Sequence, residues 1–276
     1  MAKNELVRNG EDSKLQKAKI IAFVHHKGGT GKTTSCLNIA GWLVRMEKQV
    51  LVVDLDPQGN ATTGLGIDRS TIEVSIYDVL LGQRNIEEVI LETDSGIYLA
   101  PSSIDLLTAE TRMAGKINNT TILRESLRNV VRHFDYILID VPPGSTLLMI
   151  NGIVASQNII VPLDSGVFAY ETMETLKVLV LDLNEELGIE PNVMMVLLRE
   201  YSSSIFDKGP TEGVKKLIKR FLAANVTSKV EIFTIPFSRN VYRAQMKGTP
   251  ISHYAPFSDV GKAYKKIAKE ILNKEE

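Results

Sequence analysis

The stretch Lys-Ile-Ile-Ala-Phe-Val-His-His-Lys-Gly-Gly-Thr-Gly-Lys-Thr-Thr, residues 19–34, decides the fold. Its apolar run, residues 20–24, reads as a buried strand. A glycine-rich turn follows, and Lys32-Thr33-Thr34 opens a helical pattern. Strand, glycine-rich turn and helix in that order form the context of a phosphate-binding loop. Gly28, Gly29 and Gly31 lack a Cβ, so the backbone can bend sharply and turn its amides inward. Those amides, those of Thr30 and Thr34, and the positive end of the helix suit phosphate oxygens. In such a loop Lys32 reaches the β- and γ-phosphates, and the Thr33 hydroxyl ligates Mg²⁺.

The chain beyond this stretch keeps alternating strand with helix. Helical patterns cover residues 35–47, 76–81, 86–91, 104–113, 121–133, 170–187, 211–222 and 259–272. Strand patterns cover 50–53, 97–100, 136–139, 158–161, 192–198 and 231–235. Alternation of this kind predicts an α/β fold: one P-loop NTPase domain, a mostly parallel twisted sheet with helices on both faces. It spans residues 19–276 behind a polar, flexible arm, residues 1–18. The 276 residues suffice for one full core. No apolar run approaches the ~20 residues of a membrane helix. The arm lacks the apolar centre of a signal peptide. A single cysteine, Cys36, forms no intramolecular disulfide and points to a reducing compartment.

Two strand patterns end in acids. Residues 50–53 run into Asp54-Leu55-Asp56-Pro57-Gln58-Gly59, and residues 136–139 run into Asp140-Val141-Pro142-Pro143. Carboxylates at the C-terminal ends of strands, beside a phosphate loop, are placed for metal or water chemistry. Asp140 fits a magnesium role, Asp54 a supporting one in the metal shell, and Asp56 the positioning of a water. His25 and His26 read as loop packing, because few His or Cys stand ready as partners in a metal site. Trp42 reads as core or interface.

Charge is unevenly distributed. The net charge is -1, yet residues 208–276 hold 14 Lys/Arg against 6 Asp/Glu. Lys215, Lys216, Lys219 and Arg220 share one helical face, Lys262, Lys265, Lys266 and Lys269 form another stripe, and Arg239, Arg243 and Lys247 lie between. Such a set suits phosphate backbone without sequence readout. Each stripe alone also suits the solvated side of an amphipathic helix.

The common phosphate-loop pattern has Gly where this chain has His26, and the loop carries a second lysine, Lys27. Lys27-Gly28-Gly29-Thr30-Gly31-Lys32-Thr33-Thr34 resembles the deviant Walker A motif of the ParA/MinD ATPases. Residues 50–66, with Asp-Leu-Asp-Pro-Gln-Gly-Asn inside them, resemble the ParA/Soj partition branch. Val161-Pro162, Phe168-Ala169-Tyr170-Glu171-Thr172 and the segment from Ile235-Pro236 to Thr249-Pro250 match more loosely. Gly144-Ser145-Thr146 and Phe237 depart from the pattern. The resemblance implies ATP/ADP and Mg²⁺ as cofactors, Lys27 and Lys32 on the nucleotide, Asp56 as the hydrolysis aspartate and Pro236 beside the adenine. It implies an ATP-state homodimer in which Lys27 reaches the partner's nucleotide, non-specific DNA binding through C-terminal basic residues, a ParB-like adaptor and a cytoplasmic, nucleoid-associated life. The alternative is a MinD-like positioning ATPase on a membrane. The tail, Ile271-Leu272-Asn273-Lys274-Glu275-Glu276, is acidic and lacks the bulky anchors of a membrane-binding helix.

Overall fold

The apolar run before the loop becomes β1 (Lys19–Phe23), and Lys32 opens α1 (Lys32–Val44). A computed structural model describes residues 17–144, 146–165, 169–200, 208–225 and 230–274. Arm residues 1–16, together with Ser145, Phe168, Glu275 and Glu276, lie outside the described residues. The order continues β2 (Val50–Asp54), α2 (Asn60–Gly64), α3 (Ile76–Leu81), β3 (Leu91–Glu92), β4 (Tyr98–Ala100), α4 (Leu106–Met113), α5 (Ile122–Leu127) and β5 (Tyr136–Asp140). It closes with α6 (Leu147–Ser156), β6 (Asn158–Asp164), α7 (Ala169–Leu187), β7 (Asn192–Arg199), α8 (Lys208–Asn225), β8 (Glu231–Ile235), α9 (Arg239–Met246), α10 (Ile251–Tyr254) and α11 (Asp259–Asn273).

The described strands form one sheet in the order β3-β4-β2-β5-β1-β6-β7-β8. Every pairing is parallel except β3 with β4. Strand side chains alternate between two cores. Ala22, Val24, Leu51 and Val53 face one, with residues of α3 to α8. Ile21, Phe23, Val50 and Val52 face the other, with residues of α1, α10 and α11 and Ala244 of α9. Both central neighbours of β1 are buried over most of their length, as parallel strands covered on both sides must be.

The structure differs from the sequence reading at several elements. α1 opens at Lys32, as the loop reading has it, with Gly31 at φ 92° supplying its left-handed entry, but it ends at Val44 rather than at residue 47. The helical reading of 86–91 is replaced by a single tight turn at 86–88 and then β3, an antiparallel edge strand. The expected helix 121–133 ends at Leu127 and passes into turns. The sequence reading has no helix between β5 and β6, where α6 lies. Leu148, Met149, Ile153, Val154 and Ala155 bury most of α6, leaving no polar stripe to betray it. α2, α9 and α10 are likewise absent from that reading. The turn after α9 meets the turn after α2 without side chains between them: a Cβ on Gly248 would stand 2.4 Å from the Gly66 Cα.

Candidate functional site: a nucleotide cradle

The chain leaves β1 and enters a loop whose shape is set by its own hydrogen bonds. His25 is buried, and its Nδ1 accepts the Lys27 amide at 2.9 Å. Burial, then the charges of His26, Lys32 and Lys27, push the His25 imidazole down to about 3. It is therefore neutral at ordinary pH, as an accepting Nδ1 requires. Gly144 donates its amide to the His26 carbonyl at 2.8 Å, tying the β5 exit to the loop. Gly29 and Gly31 have φ of 76° and 92°, conformations a side chain would strain. Lys32 is buried, and its Nζ donates to the Lys27 carbonyl at 3.2 Å. Burial lowers its pKa while Asp140 and Asp56 pull it back. Lys27, by contrast, is exposed.

The loop residues Gly28 to Thr34, without Lys27, line a cavity of about 610 Å³, together with Asp56, Gln58, Asn60, Thr63, Gly64, Pro143, Arg199, Gln245 and Met246. It lies outside the carboxyl ends of β1, β2, β5 and β7, where parallel sheets hold their ligands. Asp56 is nearly buried; its Oδ1 accepts the Gln58 amide at 2.9 Å, and its carbonyl accepts the Ser102 hydroxyl at 2.6 Å. Arg69 spans the same turn, donating to the carbonyls of Pro57 and Gln58 at 2.7 Å each.

Asp54 and Asp140 end neighbouring strands in register, and both are fully buried. Asp54 accepts three bonds from within the chain: the Thr62 amide at 2.8 Å, the Thr62 hydroxyl at 2.7 Å and the Asp56 amide at 3.2 Å. Burial raises its carboxyl to about 6 against the pull of those donors. Neither oxygen of Asp140 has a hydrogen-bond partner of normal geometry. Burial, then the Asp54 charge, raises Asp140 well above the usual carboxylate range, while the Thr33 hydroxyl and Lys32 oppose the shift. A carboxylate orphaned beside a hydroxyl offers hard oxygen donors of the kind Mg²⁺ takes. Thr33 and Asp140 therefore fit the metal. Asp54 is instead engaged in holding the start of α2.

Other expectations are relocated. Pro236 does not line the cavity: β8 ends one strand beyond β7, and Arg199 of β7 occupies that rim. The basic set is divided by the sheet. Lys215, Lys216, Lys219 and Arg220 ride α8, whose Ile218 and Phe221 join the core on one side. Arg239, Arg243 and Lys247 belong to α9 and its end, whose Ala244 joins the core on the other. The α11 stripe shares that second side, with Lys265 lying 5.2 Å from the Trp42 ring and Lys266 5.8 Å from Phe233. Cys36 is buried and free. Among the described residues no group of three or more His, Cys, Asp or Glu gathers as a metal site, and no helix is long and apolar enough to cross a membrane. Arg199, Gln245 and Met246 of the cavity were not legible as site residues. Arg199 did carry a signal, a charge closing the apolar run of β7, of the same form as Asp140 closing β5.

A glycine loop between strand and helix, a buried lysine, a hydroxyl and an orphaned strand-end carboxylate define a P-loop nucleoside triphosphatase. A family profile described as an AAA domain matches residues 18–195. The sporulation initiation inhibitor protein Soj of Bacillus subtilis is 34% identical over 258 residues, covering 92% of this chain and 98% of that one. The chromosome-partitioning ATPase Soj of Thermus thermophilus is 32% identical, covering 93% and 96%. Among solved structures, cobyrinic acid a,c-diamide synthase of Mycobacterium smegmatis with an ATP analogue and magnesium superposes with a TM-score of 0.80 at 26% identity, covering 94% and 96%. MinD of Pyrococcus horikoshii with Mg-ADP gives 0.74 at 26%, covering 92% and 96%. The chain belongs to the ParA/MinD family of P-loop ATPases, and its cofactors are ATP/ADP and Mg²⁺.

Proposed function

We propose that the chain is a partition ATPase of the ParA/Soj kind, which dimerises on ATP and binds DNA without sequence preference in that state. The observation that carries the reading is the pair of loop lysines, one buried in the cavity lining and one exposed outside it. Lys32 and the amides of residues 28–34 hold the phosphates of the chain's own nucleotide, with Thr33 and Asp140 holding the metal. Mg²⁺, when bound, neutralises charge on the phosphoryl oxygens. Asp56 accepts a hydrogen bond from the attacking water and orients it. Lys27 stands where a second copy can meet it, and it supplies that copy's nucleotide with another cation. Hydrolysis then acts as a switch on DNA affinity, stimulated by a ParB-like adaptor in the cytoplasm, on the nucleoid.

Names of relatives support partition: Soj and ParA proteins of several bacteria align over nearly the whole chain. A small-molecule synthase on this fold has no use for Lys27. A MinD-like membrane role is the competing reading, and sedimentation with liposomes and ATP tests it. The decisive experiment measures DNA binding with ATP, with ADP and without nucleotide, at two salt concentrations, for wild type and Lys27→Ala. Wild type should bind only with ATP and more weakly at high salt. Lys27→Ala should bind nucleotide, remain monomeric by light scattering and lose DNA. An equally strong ATP dimer in that variant refutes the cross-subunit role.

A further inference from the structure

Arg199 closes β7 and Asp164 closes β6, and the two are register partners. The guanidinium donates from Nε and Nη2 to Asp164 Oδ1 at 2.9 and 2.7 Å. Nη2 also donates to the Gly29 carbonyl at 3.0 Å, across 170 residues of chain. The arginine stem runs beside the loop, with its Cδ 3.8 Å from where a Cβ on Gly31 would stand. A peptide is planar and trans, so its carbonyl and the next amide point in opposite directions. Fixing the Gly29 carbonyl on the Arg199 side therefore turns the Thr30 amide to the opposite side. Gly29, on its N-terminal side, leaves that peptide little stiffness of its own. The ion pair supplies it, because a guanidinium already held by a carboxylate has less freedom to lose when it takes a second acceptor.

We propose that Arg199 is a positioning residue for the phosphate loop, anchored by Asp164 and holding the Gly29–Thr30 peptide in the orientation that receives a nucleotide. The contact is a geometric one, and a lysine cannot reproduce it: its ammonium ends one bond short of the Nη2 that meets both acceptors, and it lacks the Nε donor that fixes the stem to Asp164. The inference rests on the nucleotide cradle alone and is independent of DNA, adaptor or dimer.

The test uses the full chain and ADP as probe, with affinity from isothermal titration, amide exchange at Thr30 and Gly31, steady-state ATPase kinetics and thermal midpoints. Arg199→Met should weaken ADP about tenfold, the scale of one lost charge-assisted hydrogen bond. It should raise KM for ATP similarly, keep kcat within about twofold as loss of ground-state binding requires, and speed exchange at Thr30 with the thermal midpoint unchanged. Asp164→Asn should show the same pattern at smaller amplitude. Arg199→Lys should resemble Arg199→Met. Wild-type ADP affinity and exchange in Arg199→Met overturn the proposal. Full recovery in Arg199→Lys also overturns it, because charge alone would then suffice.

Discussion

The ends of β2 and β5 look alike and behave differently. Each places an aspartate, Asp54 or Asp140, fully buried on adjacent strands in register. Asp54 is surrounded by donors from the loop it introduces, and it holds α2 in place. Asp140 has none of normal geometry and waits beside Thr33. Burial raises both carboxyls, so the difference lies in what surrounds them. A buried carboxylate with its partners in the chain is part of the frame. One left without them costs stability until a cation arrives.

The largest effect should come from removing the waiting charge. Asp140→Asn should lower ATP turnover by at least ~100-fold, the scale of losing a preorganised electrostatic contact. Its unfolding midpoint in urea without nucleotide should hold or rise. A loss of stability at that position would break the contrast. Asp54→Asn should do the reverse in kind: an amide presents one acceptor to three donors, leaving a buried donor unmet at a cost of about 2 kcal/mol. Equilibrium denaturation checks it.

A smaller effect sharpens the comparison through pH. Asp54 titrates at about 6 in the fold against 3.8 in the open chain. Between those values the native state keeps a proton that the unfolded state has lost. Its contribution is therefore fully present below pH 4 and fades as pH rises through 6. His25, depressed to about 3, acts in the opposite sense below 6.5, but it is common to wild type and variant. The stability gap between wild type and Asp54→Asn should thus narrow from pH 4 to pH 7. A gap that widens would reverse the assignment.

Much of this arrangement was legible from residues alone. β1, the glycine loop and the start of α1 announce themselves by an apolar run and punctuation within sixteen residues. The acids at the ends of β2 and β5 were visible for the same reason. Their separate fates were not, because Thr62 reaches Asp54 only once α2 folds back, and α2 is five residues without periodicity. α6 escaped because its only polar residues, Asn151 and Ser156, are buried with most of the rest and make no stripe to read. Arg199 escaped because its partners, Asp164 and Gly29, come together only when β6 and β7 are laid beside β1. The basic residues of the last quarter were read as one set, although an intervening sheet parts α8 from α9, a separation that composition does not encode.

Behind the edge of the cavity formed by Gly64 and Met246, two stretches of bare main chain meet. Gly66 and Gly248, both in left-handed conformation, press together just beyond Gly64 and Met246. At the contact itself there is no side chain to trim, so substitution of either glycine can only wedge the segments apart. The spacing between the turn that follows α2 and the turn that follows α9 is thus set by the route of the polypeptide, and it carries Gly64 and Met246 to the cavity as one unit.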